Sequence, residues 1–125
     1  MRIEVPVSLG ELVDKLSILK IKSEMIKDPT KLEDIRLEDQ LLGKMLDSLK
    51  LDISELLNEL TQINRKLWKI EDDIREKERK AEFDDEFVQL ARSVYVTNDQ
   101  RFDIKSRINI KFGSEIKEVK SYEKY

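Results

Sequence analysis

Six polar residues between positions 92 and 105 have the types and the spacing of a ligand-binding site. Several of them lie three or four positions apart, so a helix would place them along the same side. An arginine guanidinium binds carboxylate or phosphate through two parallel hydrogen bonds, and a helix N-terminus near Thr97 would add backbone donors. We therefore expect a polar junction between two helices that recognises a partner or a small anion. The six candidates are Arg92, Tyr95, Asn98, Asp99, Arg101 and Lys105.

A structural role is the alternative for these residues. Arg92 and Arg101 would then pair with nearby acidic side chains such as Asp99, and Tyr95 would be a half-buried core residue. Both interpretations remain open at the level of the sequence.

Three acidic residues, Glu71, Asp72 and Glu76, are candidates for a Mg²⁺ site because they lie within about one helical turn of each other. Such a site would make the protein a Mg²⁺-dependent all-α hydrolase of a nucleotide or nucleotide-sugar. The alternative is a solvated helix face with ion pairs such as Glu71–Arg75 and Glu76–Lys80. With 27 acidic residues in 125, this spacing often arises by chance. We therefore favour the ion pairs, and a protein without a cofactor.

The other charged and aromatic candidates are interpreted as structural. Glu11, Asp14 and Lys15 form a charged turn that we expect to face solvent. Trp68, the only tryptophan, is interpreted as a packing residue rather than a stacking platform.

The composition excludes several kinds of chemistry. The chain has no cysteine and no histidine, which removes disulfides, thiolate nucleophiles, Cys/His zinc sites and imidazole bases. Its 24 basic and 27 acidic residues are interleaved, and the net charge of −3 does not favour general nucleic-acid binding. No apolar stretch is long enough to cross a bilayer. We expect a soluble, cytoplasmic protein.

Helix-start and helix-stop signals predict three helices in the first two thirds of the chain. The first helix starts with a capping box at Ser8 and ends before Pro29. The second helix starts with a capping box at Thr30. The third begins with Asp52 as its cap and runs to about Ala81. Because the connections are short, we expect these helices to be sequential antiparallel neighbours.

The second helix carries two apolar stripes. Leu37, Leu41 and Met45 form the second stripe, which predicts that the helix contacts two neighbours. Gly43 in its interior is interpreted as the mark of a close helix crossing.

An uninterrupted hydrophobic seam runs along the third helix in the 3-4 spacing of a coiled coil. The first two helices are too short to cover its far end. Two short C-terminal helices or a second copy in a homodimer must therefore cover it. The first of the two short helices, residues 83–96, is capped by Asp84 or Asp85, and the second, residues 97–112, ends at Gly113. The seam consists of Ile53, Leu56, Leu60, Ile63, Leu67, Ile70 and Ile74.

These features predict a single all-α domain over residues 1–125. It consists of an antiparallel helical hairpin and one long helix with two short C-terminal helices, in coiled-coil-like packing. Residues 1–7 form an extended segment and residues 114–125 a tail. A non-catalytic binding or assembly protein, as a homodimer, is the favoured function, and the Mg²⁺-dependent hydrolase is the alternative.

Several segments of the chain resemble a small uncharacterised family of helical proteins from bacteria and bacteriophages. The segments are VPVSLGELVDKLSILKIK (5–22), LWKIEDDIREKE (67–78), LARSVYVTNDQR (90–101), and IKSRIN, GS and EVKSY near the end. The resemblance implies a single domain and no particular activity. It draws attention to residues that packing does not demand: Asp14, Lys15, Glu71, Asp72, Arg75, Arg92, Asn98, Asp99, Arg101 and Lys105.

Overall fold

The computed structural model describes all residues 1–125, and its secondary structure consists of four helices with no strand. The four helices are α1 (Leu9–Met25), α2 (Pro29–Ser48), α3 (Ser54–Arg79) and α4 (Asp85–Lys111). Residues 1–7 and 114–125 contain no helix or strand. The predicted all-α class is therefore confirmed. None of the four helices combines the length and the apolar character needed to cross a membrane.

The helix starts confirm some of the predicted caps. The Ser8 side chain accepts a hydrogen bond from the Glu11 backbone N–H, and Asp84 caps α4 in the same way. The cap predicted at Thr30 is wrong, because Asp28 caps α2 and Pro29 is its first residue. The cap predicted at Asp52 is also wrong, since α3 starts without a side-chain cap.

The prediction of two short C-terminal helices is wrong, because α4 is a single helix of 27 residues. Thr97, expected to start a new helix, lies in its interior. No proline or glycine separates the two halves of α4, so the backbone hydrogen bonds continue through the polar segment. At its C-terminal end, Gly113 has a positive φ of 68°, as predicted for a residue that stops a helix.

The hydrophobic seam of α3 is covered within the chain. α4 runs antiparallel to α3, as shown by ion pairs between Lys77 and Glu86 at one end and Glu59 and Arg107 at the other. Both helices have nearly the same number of residues, 26 and 27, and each is about 40 Å long. α4 therefore extends along the part of α3 that the first two helices leave uncovered.

α1 is the central helix, in contact with α2, α3 and α4, while α2 contacts only α1 among the helices. The prediction that α2 and α3 are neighbours is therefore wrong, because the backbones of these two helices do not approach each other. The core joins residues of all four helices and the connection before α3: Leu12, Val13, Leu46, Ile53, Leu56, Leu60, Ile104 and Ile108.

Candidate functional site

The best-buried charged group of the protein is the Asp14 carboxylate on α1, whose residue is 1% exposed. The expectation that Asp14 faces solvent is therefore wrong. Arg101 of α4 binds both carboxylate oxygens, with its Nε atom 3.0 Å from Oδ1 and its Nη2 atom on Oδ2. The carboxylate raises the pKa of Arg101, mainly through these hydrogen bonds. A doubly hydrogen-bonded ion pair, buried at Asp14 and partly exposed at Arg101, thus joins α1 to α4.

Asn64 of α3 completes the arrangement around Asp14. Its Nδ2 atom lies 2.9 Å from Asp14 Oδ1 and 2.7 Å from Ser17 Oγ. The Ser17 hydroxyl in turn donates to the Asp14 carbonyl oxygen at 2.7 Å. Because these side chains are buried and bonded to one another, they fix the position of the Arg101 guanidinium.

Lys105 lies one turn beyond Arg101 on α4 and is 6% exposed. Its ammonium is 2.8 Å from the carboxylates of both Glu11 on α1 and Glu118 in the tail. Burial disfavours the charged form, but the hydrogen bonds to these two carboxylates outweigh it and raise the pKa of Lys105. Lys105 is therefore fully paired within the chain.

The N-terminal end of α1 is held against α4 at very short range. The Gly10 N–H donates to Asn109 Oδ1 at 2.7 Å, and the Leu9 N–H donates to Ser114 Oγ at 3.0 Å. These bonds satisfy backbone donors that the start of a helix leaves free. A Cβ atom on Gly10 would lie 2.6 Å from the Lys105 carbonyl oxygen, so only glycine allows this approach.

A groove of about 490 Å³ lies beside the Asp14–Arg101 pair, between α1, α3 and α4. We call it the α1/α3/α4 groove. The half-buried Trp68 and Ile18, Ile21 and Leu67 form its apolar part. Its polar part consists of Asn64, Glu71, Asp72, Arg75, Asn98 and Arg101.

The structure divides the six predicted binding residues into separate places. Asn98 and Arg101 line the groove, and the Asn98 Oδ1 atom is 3.4 Å from Arg101 Nη1. Lys105 lies one turn away and does not line the groove, although its Nζ atom is 3.9 Å from Asp14 Oδ2. Arg92 is exposed and does not line the groove, so it lies outside this site.

Tyr95 and Asp99 contact the tail instead of the groove. The Tyr125 hydroxyl donates to Asp99 Oδ2 at 2.8 Å, and the rings of Tyr95 and Tyr125 are 5.3 Å apart, edge to face. Lys120 lies 3.6 Å from Asp99. These two predicted residues therefore hold residues 120–125 against α4.

The three candidate metal ligands do not converge. Glu71 pairs with Arg75 and Glu76 pairs with Lys80, as the ion-pair alternative predicted for this face. Glu76 also pairs with Arg79. Asp72 lines the groove and makes no ion pair. Nowhere in the chain do three acidic side chains gather in an arrangement that would hold a metal ion. The geometry therefore lends no support to the predicted Mg²⁺ site, which stays a prediction.

Asp14, Ser17 and Asn64 were not among the predicted site residues, although a signal for the first two was present. Apolar residues surround α1 on all sides, which is typical of a helix buried by several neighbours. Polar side chains of such a helix that lie against a neighbouring helix are then buried and need hydrogen-bond partners. No local pattern predicts that Asn64 is buried. It lies next to Ile63 at the edge of the α3 seam, where a polar side chain can equally well be exposed.

Thr97 on α4 is a buried polar residue without a hydrogen-bond partner, since its hydroxyl is fully buried and bonds to nothing. We expect Thr97→Val to stabilise the protein by about 1 kcal/mol, because it removes an unpaired polar atom and keeps the side-chain shape. The control is Thr61→Val, which removes a hydroxyl that donates to the Leu57 carbonyl oxygen at 2.7 Å and should destabilise instead. Urea denaturation measures both, and a loss of stability in Thr97→Val would contradict the assignment.

Comparison with known proteins identifies the family but no activity. No curated protein and no solved structure matches the chain. The resemblance to an uncharacterised family is confirmed, while the expected bacterial or bacteriophage source stays a prediction. Over residues 1–125 the chain belongs to the family of unknown function DUF6165.

Proposed function

We propose that this is a non-catalytic binding protein whose ligand occupies the α1/α3/α4 groove. The observation that carries the proposal is the position of Arg101, whose guanidinium is held by the buried Asp14 and lines the groove beside Asn98. A donor group fixed in this way needs no reordering when a ligand arrives, and this lowers the entropic cost of binding.

The charges of the groove favour a ligand that carries both a donor and an acceptor. Two basic residues, Arg75 and Arg101, and two acidic residues, Glu71 and Asp72, line it. Since Asp14 already balances Arg101, the groove does not favour a polyanion such as a polyphosphate. Asp72 makes no ion pair and is available to accept a hydrogen bond. The sequence predicted a small anion as the ligand. The charges of the groove favour, within that class, a small molecule that carries one carboxylate and an amine or a hydroxyl.

The apolar part of the groove supports a ligand with an apolar body. Trp68 is half-buried and lies with Ile18 and Leu67 on the groove wall. Pockets for small molecules are commonly lined by apolar and aromatic side chains with a few polar groups for orientation. Together with the charges, this favours an amino acid or hydroxy acid with an apolar side chain.

Trp68 makes the proposal testable, because it is the only tryptophan in the chain and lines the proposed site. Titration with leucine, phenylalanine and their 2-hydroxy acid analogues should change its fluorescence in a saturable way. Tripolyphosphate should not. An absence of any saturable change across this series would contradict the proposed ligand class.

Two variants connect the fluorescence change to the groove. Asn98→Ala and Arg75→Ala should each raise the dissociation constant about tenfold, because each removes a polar contact without leaving a charge buried. Arg107→Ala is the matched control, since Arg107 pairs with Glu59 and does not line the groove. A ligand that binds the Asn98 and Arg75 variants with unchanged affinity would refute the proposed site.

A further inference from the structure

The outer side of α2 exposes a row of large apolar side chains that no other part of the chain covers. Leu37, Leu41 and Met45 are 60%, 38% and 50% exposed. The expectation that this stripe contacts a second helix is wrong within one chain, since α2 packs only against α1. A groove of about 610 Å³ separates the stripe from the extended N-terminal segment, where Ile3 and Val5 are also exposed. We call this surface, formed by residues 2–7 and 37–49, the α2 face.

We propose that the α2 face pairs with the α2 face of a second copy, with the two α2 helices antiparallel about a two-fold axis at Leu41. A contiguous apolar patch with a polar rim marks an interaction site, and a two-fold dimer is the commonest way to bury it. This inference is independent of the ligand proposed for the α1/α3/α4 groove.

The order of residues around Leu41 supports the antiparallel arrangement. With the axis at Leu41, residues equally far before and after it in the two copies lie level with each other. Leu37 is therefore level with Met45 of the partner subunit, so apolar side chains contact apolar ones. Glu38 is level with Lys44 of the partner subunit, within reach of these long side chains. A parallel arrangement would instead place glutamate level with glutamate and lysine level with lysine, which is unfavourable.

The rim and the size of the α2 face also suit a second copy. Arg2, Glu4, Lys15, Glu38 and Lys44 line its groove, so both signs of charge are present and no strongly charged partner is favoured. Seven large apolar side chains of this face are exposed: Ile3, Val5, Val7, Leu37, Leu41, Met45 and Leu49. With the polar rim they provide a surface on the scale of the about 800 Å² that each partner buries in a standard interface.

This surface differs from the one that the sequence suggested for a homodimer. From the sequence, either the C-terminal helices or a second copy would cover Leu67, Ile70 and Ile74 on α3. In the structure, Leu67 and Ile70 are buried and α4 runs along the seam. The α2 face is left as an exposed apolar surface that a second copy would bury.

Sedimentation equilibrium of the wild-type chain and of Leu41→Glu tests the proposal. The wild type should be a dimer, and Leu41→Glu should raise its dissociation constant by at least about tenfold, because two carboxylates would meet at the axis. Ile110→Glu is the matched control, since Ile110 is 70% exposed on α4 and outside the α2 face. A monomeric wild type, or a dimer unaffected by Leu41→Glu, would overturn the proposal.

Engineered cysteines test the orientation cleanly because the chain has none of its own. In the antiparallel dimer, oxidised glutathione should link Leu37→Cys to Met45→Cys when the two variants are mixed, and should link neither variant to itself. Efficient linkage of each variant to itself would show a parallel arrangement and overturn the proposed one. Both variants change exposed positions, so they also keep the test valid if Leu41→Glu fails to fold.

Discussion

Asp14→Ala should destabilise the protein by about 3–5 kcal/mol, the usual cost of removing one member of a buried ion pair. The substitution leaves the Arg101 guanidinium without its two carboxylate oxygens and takes a hydrogen-bond acceptor from Asn64. Both partners lie on other helices, so the loss weakens the contacts of α1 with α3 and α4 together. Urea denaturation followed by circular dichroism measures the change.

The matched control is Asp73→Ala, which removes an exposed carboxylate paired with Lys69 on the same helix. This variant should change stability by less than about 0.5 kcal/mol, because exposed ion pairs contribute little. A double-mutant cycle between Asp14 and Arg101 then isolates their coupling. A loss below about 1 kcal/mol for Asp14→Ala would contradict the inference that the pair stabilises the packing of α1 against α4.

Gly10→Ala should destabilise the protein by about 2 kcal/mol, although replacing glycine by alanine in a helix normally stabilises it. The added Cβ would lie 2.6 Å from the Lys105 carbonyl oxygen and 3.1 Å from Asn109 Oδ1. The first atom belongs to the backbone of α4 and cannot move alone. α1 and α4 would have to separate, which would weaken the hydrogen bond from Gly10 to Asn109.

Gly43 provides the control with the opposite expected sign. It lies inside α2, and a Cβ atom there would meet nothing within 4 Å, so the close helix crossing predicted at Gly43 is wrong. Gly43→Ala should stabilise the protein by about 0.5–1 kcal/mol through helix propensity alone. Thermal and urea denaturation of both variants check the two signs. A stabilised Gly10→Ala would contradict the close approach of α1 and α4.

The helices were predictable wherever one local signal decides the outcome. Ser8 and Asp84 cap helices because a side chain bonds a backbone N–H two or three positions on, which depends only on neighbours in sequence. The helix break predicted at Thr97 is wrong because tertiary contacts outweigh the local signal there. A polar residue weakly favours a cap, but contacts along the whole of α3 hold α4 as one helix, and packing outweighs propensity.

The site was predictable only in part. Asn98 and Arg101 were found because both residue types and their spacing suit a binding face, and both line the groove. Asp14 was missed as a site residue because a charged residue in sequence is usually exposed. Its burial depends on α3 and α4 both packing against α1, from positions 50 and 87 residues away in the chain.

The sequence by itself determined that this protein is helical and that α3 carries a long apolar seam, because both follow from the periodicity of side chains along one helix. Only the tertiary structure decided which helix covers the seam. α4 covers it from within the chain, α1 becomes the central helix, and the outer face of α2 is left exposed. It also decided that Asp14 and Arg101 meet beside a groove. Such choices depend on contacts between residues far apart in sequence, which no local pattern records.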